Sequence, residues 1–177
     1  MDFLKSTRFW VITLFGFISI GIISIMTGVY SEVKIDQRES DGWELVGIEY
    51  EGKADSQAFI SLYDSISKEL EKGKLSGKLA VLFFQNPNTE KPIKAIVGAL
   101  SNKKAASQHN YKVYKQGPYL EVYSEITMGE LFTPNPENVI NQINDLIEVS
   151  FGTVPNKYLE YYPTKSTVIQ SAIVEKP

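Results

Sequence analysis

The 177-residue chain contains no cysteine and a single histidine, His109. The first absence excludes disulfides, thiolate metal sites and a cysteine-linked lipid anchor. The second excludes a multi-histidine metal site, and His109, set between Gln108 and Asn110 in a polar stretch, offers little to a catalytic triad. No Gly-x-Ser-x-Gly elbow is present. The stretch from Gly73 to Lys78 is one residue short of a phosphate-binding loop, and Leu79 stands where Ser or Thr is required. Positive charge is also in short supply, with 18 basic against 21 acidic side chains. Without Lys5, Arg8 and Asp2, the remainder holds 16 and 20. A mildly acidic domain argues against a nucleic-acid partner, which needs a basic face. Neither a cofactor nor a metal is expected.

One segment lacks charge altogether. Residues 9–31 hold no Asp, Glu, Lys or Arg. As a helix this run reaches about 35 Å, enough for a bilayer core of about 30 Å. Lys5 and Arg8 precede it, and Glu32, Lys34 and Asp36 follow. The positive-inside rule then puts the N-terminus in the cytoplasm and the following domain on the far side. Trp10 and Tyr30 suit the two interfaces. The reading is an uncleaved signal anchor over residues 1–31 that contacts lipid through residues 9–31. The alternative is a secreted protein cleaved near Ser31, although signal peptides ordinarily have an apolar region of only about 7–15 residues.

Residues 32–42 are polar and without periodicity, which predicts a linker. Residues 43–177 have the size of one domain. Glu44–Glu51 reads as a strand ended by Gly52. A helix capped by Asp55 then runs to about Lys72, with Phe59, Leu62, Tyr63, Ile66 and Leu70 on one face. Leu79–Gln85 reads as a buried strand and Pro92–Leu100 as its hairpin partner. In the second half, Tyr111–Tyr114 and Tyr119–Thr127 read as extended around Gly117-Pro118. A strand-turn region continues to Thr133. Asn135 and Pro136 open a helix with Val139, Ile140, Ile143, Leu146 and Ile147 as its apolar stripe. Strands Lys157–Tyr162 and Thr167–Val174, joined by a turn at Pro163, close the chain. Each half therefore reads strand, helix, strand, strand, with the helices about 80 residues apart.

Three stretches carry a resemblance: Leu82-Phe-Phe-Gln-Asn-Pro87, Gly117-Pro-Tyr-Leu-Glu-Val122 and Tyr158-Leu-Glu-Tyr-Tyr-Pro163. In this order they resemble the GyrI-like small-molecule-binding domain, the effector-binding domain of bacterial transcription activators. The resemblance covers residues 43–175. It implies an α+β fold of two pseudo-twofold β-α-β-β repeats, here behind a transmembrane helix. Between the repeats it implies a cleft for small hydrophobic, aromatic or cationic molecules, with a central glutamate that matches Glu160. Regulators of the family carry a DNA-binding domain, whereas here the uncharged run stands ahead of the domain.

Strand alternation puts Tyr158, Glu160 and Tyr162 on one face and Leu159 and Tyr161 on the other. If the leucine face packs on the helices, Glu160 looks into the cleft between two tyrosines, suited to a cation. Tyr119, Glu121 and Tyr123 repeat the pattern and offer an opposite wall or a solvated one. The candidate ligand-binding residues are Glu160, Tyr158, Tyr162, Tyr119, Phe84 and Tyr50. The expected function is a membrane-anchored binding module for a small organic molecule. The alternatives are a hydrolase of strained electrophiles using Glu160 and a tyrosine, and a non-catalytic membrane adaptor.

Overall fold

A computed structural model describes residues 33–101, 111–127 and 134–175. The uncharged run, His109 and the segment 128–133 lie outside them. Among the described residues no helix is long and apolar enough to cross a membrane.

The elements run β1 (Asp36–Ser40), β2 (Trp43–Gly52), α1 (Gln57–Glu71), β3 (Lys78–Phe83), β4 (Ile93–Ser101), β5 (Lys112–Gln116), β6 (Tyr119–Thr127), α2 (Pro136–Phe151), β7 (Tyr158–Thr164) and β8 (Thr167–Val174). The strands form one sheet in the order β1-β6-β8-β7-β3-β4-β2-β5, with every neighbouring pair antiparallel. The repeats are β2-α1-β3-β4 and β6-α2-β7-β8, joined at β3 and β7 in the middle of the sheet. This duplicated α+β arrangement fits the GyrI-like expectation.

Each repeat is preceded by a short strand that crosses to the other repeat. β5 pairs with β2, and β1 pairs with β6. The two pairings are equivalent: a displacement of 76 residues carries Ser40↔Tyr119 onto Gln116↔Trp43 with the partners exchanged. Asp36–Ser40 falls in the segment expected to be a linker. Four of its five residues are exposed, so it lacks the apolar alternation that marks a strand. Backbone pairing to β6 alone defines it.

The helices form where periodicity places them. Ser56, not Asp55, caps α1, accepting from the Phe59 N–H at 3.2 Å. Asn135 caps α2, accepting from the Glu137 N–H at 2.9 Å, with Pro136 at the first position. Val139, Ile140, Ile143 and Ile147 are buried, but Leu146 is 39% exposed. Pro163 lies inside β7 at a register shift, and the turn falls at Lys165-Ser166.

Both helices pack on one face of the sheet. Ile66 of α1 and the α2 stripe share a core with Val46, Val81, Phe83, Val97, Val122 and Tyr158. The other face carries a second core without helices: Trp43, Leu45, Leu82, Tyr119, Leu159, Tyr161 and Ile169 among others. The sheet manages this by curling. Trp43 on β2 and Tyr119 on β6 are five strand spacings apart, roughly 24 Å in a flat sheet. Yet the Trp43 indole N–H donates to the Tyr119 hydroxyl at 2.9 Å. The helix-free face is therefore concave. Gly47 and Gly98, paired across β2 and β4, permit the close approach: a Cβ on either would fall within 2.3 Å of a backbone oxygen.

Candidate functional site in the groove between the helices

α1 packs on β2, β3 and β4, and α2 on β6 and β8, so each helix stays on its own repeat. The floor between them is β3 and β7. Val81 pairs directly with Glu160, and a displacement of 79 residues, which carries the start of α1 onto the start of α2, also carries Val81 onto Glu160. Glu160 thus sits beside the pseudo-twofold axis, on the helix face.

This reverses the expected orientation of β7. Tyr158, Glu160 and Tyr162 face the helices, whereas Leu159 and Tyr161 join the concave core. The strand is buried on both faces, so hydrophobic alternation cannot tell which one meets the helices. The polar residue nonetheless ends up between the repeats, because the gap between the helices lies over β7.

Glu160 is partly buried. Its Oε1 accepts a very short hydrogen bond from the Tyr162 hydroxyl, and its Oε2 accepts from Gln170 Nε2 at 3.1 Å. Burial, then the adjacent Glu160 charge, pushes the Tyr162 phenol well above the ordinary tyrosine range. The Tyr162 ring meets Tyr63 of α1 edge to face, centroids 5.8 Å apart. Tyr158 leans the other way, donating to Asn144 Oδ1 of α2 at 2.8 Å. These side chains nearly close the groove. Near its floor a cavity of only about 10 Å³ remains, bounded by Phe83, Ile140, Tyr158, Glu160 and Gln170 among others.

The other expected site residues are not brought to Glu160. Tyr50 shares the helix face but serves α1: its hydroxyl donates to the Lys53 carbonyl at 2.8 Å and lies 2.6 Å from Ser56 Oγ, and its ring packs on Phe59 at 5.0 Å. Tyr119 and Phe84 lie on the concave face, Tyr119 against Trp43 and Phe84 edge-on to Tyr114 at 5.5 Å. Tyr63 and Gln170, absent from the expected set, do reach the site. Tyr63 was visible only as part of a helical stripe, and nothing local marked Gln170. Among the described residues no group of side chains is arranged to hold a metal ion.

Chemically, the groove offers a carboxylate between aromatic rings. The Tyr162 hydroxyl occupies one carboxylate oxygen where a donor or cation from a ligand would bind.

No protein-family model matches the chain, and no curated protein matches it in sequence. Solved structures do match in fold. The C-terminal domain of EcmrR is 13% identical, with a TM-score of 0.57, covering 81% of this chain and 99% of that one. An integron cassette protein, VCH_CASS2, from the mobile metagenome of Vibrio cholerae is 16% identical, with a TM-score of 0.51 and coverage of 78% and 95%. SAV2435, solved bound to tetraphenylphosphonium, is 13% identical, with a TM-score of 0.50 and coverage of 80% and 94%. At such identities the likeness is one of fold.

Proposed function

We propose that this chain is a small-molecule-binding module whose ligand enters the groove between α1 and α2 and meets Glu160. The observation that carries the reading is a carboxylate beside the pseudo-twofold axis, bordered by Tyr63 and Tyr162, with the Tyr162 hydroxyl standing where a ligand would bind. The fold shared with SAV2435, solved with an aromatic cation, supports it. A carboxylate flanked by rings suits such a cation through charge and cation–π attraction. Reaching Glu160 requires Tyr162 to swing off it, because the cavity beside the carboxylate is too small for an organic ligand.

In this reading residues 9–31 anchor the module in a membrane, with the domain on the extracytoplasmic side. The uncharged run and the flanking Lys5 and Arg8 support that part. β1 begins five residues past Ser31, so the domain would sit close to the bilayer rather than on a long tether.

Titration of the full chain with tetraphenylphosphonium tests the ligand site. Saturable binding is expected, weakened roughly tenfold or more by Glu160→Gln, the loss of one charge-assisted contact. Absence of binding, or binding indifferent to that substitution, would overturn the assignment. A reporter fused to the C-terminus and active only in the cytoplasm would overturn the topology.

A further inference from the structure

The concave face holds a second polar site that the groove does not use. Between the Asp41-Gly42 turn and the end of β7 opens a cleft of about 670 Å³. This is within the usual range for small-molecule pockets. Trp43, Tyr119, Tyr161, Leu159 and Ile169 form its apolar wall, and Glu121 lines it as well.

Glu121 is 2% exposed. Its Oε2 accepts from Arg38 Nε at 2.6 Å. Its Oε1 is buried with no hydrogen-bond partner among the described residues. A buried carboxylate oxygen left unpaired carries its full desolvation cost with nothing to offset it. Arg38 also donates through Nη2 to the Tyr161 hydroxyl and lies over the Tyr123 ring at 4.4 Å. The walls keep their protons. Burial and then the Glu121 charge raise the Tyr119 phenol to about 12, and the same two causes raise Tyr161.

A carboxylate oxygen can only accept, so whatever completes this site donates. The surrounding charge decides what kind of donor. With Glu121 and Arg38 neutralising each other, the cleft lining still holds Asp41 and Glu125 against Lys78. That balance favours a cation, and three aromatic rings favour a flat apolar body.

We propose that the concave cleft is a ligand site of its own, taking a small aromatic amine or amidine. One N–H of the ligand donates to Glu121 Oε1, and its ring packs against Trp43, Tyr119 and Tyr161. The sheet itself separates this site from the groove at Glu160, so the two bind independently. They also differ in chemistry. A phosphonium has no N–H and cannot satisfy Glu121 Oε1.

Benzamidine, a flat amidinium, is a suitable probe on the full chain. The chain has two tryptophans, Trp10 and Trp43, so comparison with Trp43→Phe identifies the Trp43 indole signal by NMR. Benzamidine is expected to shift that resonance saturably, and tetraphenylphosphonium is not. Glu121→Gln is expected to weaken benzamidine roughly tenfold to a hundredfold, while Glu160→Gln leaves it unchanged. An unshifted Trp43 signal overturns the proposal, as does benzamidine binding that is lost with Glu160→Gln but not with Glu121→Gln. If Glu121→Gln does not fold, the shift of the Trp43 signal in the wild-type chain, set against that in Glu160→Gln, decides the matter.

Discussion

Glu160 and Glu121 lie on opposite faces of one curled sheet and are held in opposite ways. Glu160 is partly exposed, and both its oxygens accept from neutral donors, Tyr162 and Gln170. Glu121 is buried, paired through one oxygen with a cation and, among the described residues, left unpaired at the other. In the groove a ligand must displace a hydrogen bond that the protein already makes, so part of its affinity is spent on opening the site. In the cleft a ligand of the proposed kind would add a hydrogen bond to an oxygen that has none among the described residues. Exposure alone would rank the two carboxylates the other way round; the accounting of donors reverses the order.

The largest test of this contrast is Arg38→Met. It strips Glu121 of the one donor it has among the described residues and should cost about 3–5 kcal/mol in denaturant unfolding. The double variant Arg38→Met with Glu121→Gln should recover much of that loss, because the uncompensated charge goes with it. Little recovery would mean that β1, rather than the ion pair, carries the energy.

Alkaline pH probes the concave face next. Tyr119 titrates near about 12 in the folded chain, against about 10 when unfolded. A phenol pKa raised by folding leaves stability intact below about pH 10 and removes it as pH climbs toward 12, by up to about 2–3 kcal/mol. Equilibrium unfolding at stepped pH should show that fall, and Tyr119→Phe should flatten part of it. An equal slope in the variant would remove Tyr119 as its source.

In the groove, Tyr162→Phe takes the hydroxyl from Glu160 and should destabilise by about 1–2 kcal/mol. The same change should tighten binding of an aromatic cation, since the internal competitor is gone. Weaker binding would make Tyr162 a ligand contact instead of a cap. The smallest effect serves as the baseline: Lys112→Ala breaks the 2.5 Å contact with Glu49, yet both partners are exposed, and the cost should stay under about 0.5 kcal/mol.

Sequence periodicity carries the repeated core of this fold well. Both helices, the Asn135-Pro136 start and the order strand, helix, strand, strand can be read from local pattern. What escapes is set by distance. The exposed residues of β1 give no pattern, and their partners lie 79 to 87 residues away. One local sign was present: Asp41-Gly42 stands before β2 as Gly117-Pro118 stands before β6, and each is preceded by a crossing strand. The faces of β7 escape for another reason. Curling buries both, so Leu159 and Tyr158 look equally interior. Glu160 is legible as a candidate, but its partner Gln170 is fixed only by β7–β8 register. Glu121 is legible as a pattern, while its orphaned oxygen depends on where Arg38 lands.

The crossed edge strands also put the molecule's assembly in a fixed temporal order. β1 is made first but pairs only with β6, so as the chain emerges it must wait until residues 119–123 are available. Until then the free edge of β2 waits as well, for β5. Neither repeat can finish its own border early, because each is completed by a strand belonging to the other. Such long-range closure is slow compared with helix formation. The pairing that seats Arg38 on Glu121 therefore waits for β6, and the concave cleft, which also takes Tyr161 from β7 and Ile169 from β8, is complete only once those later strands have been made.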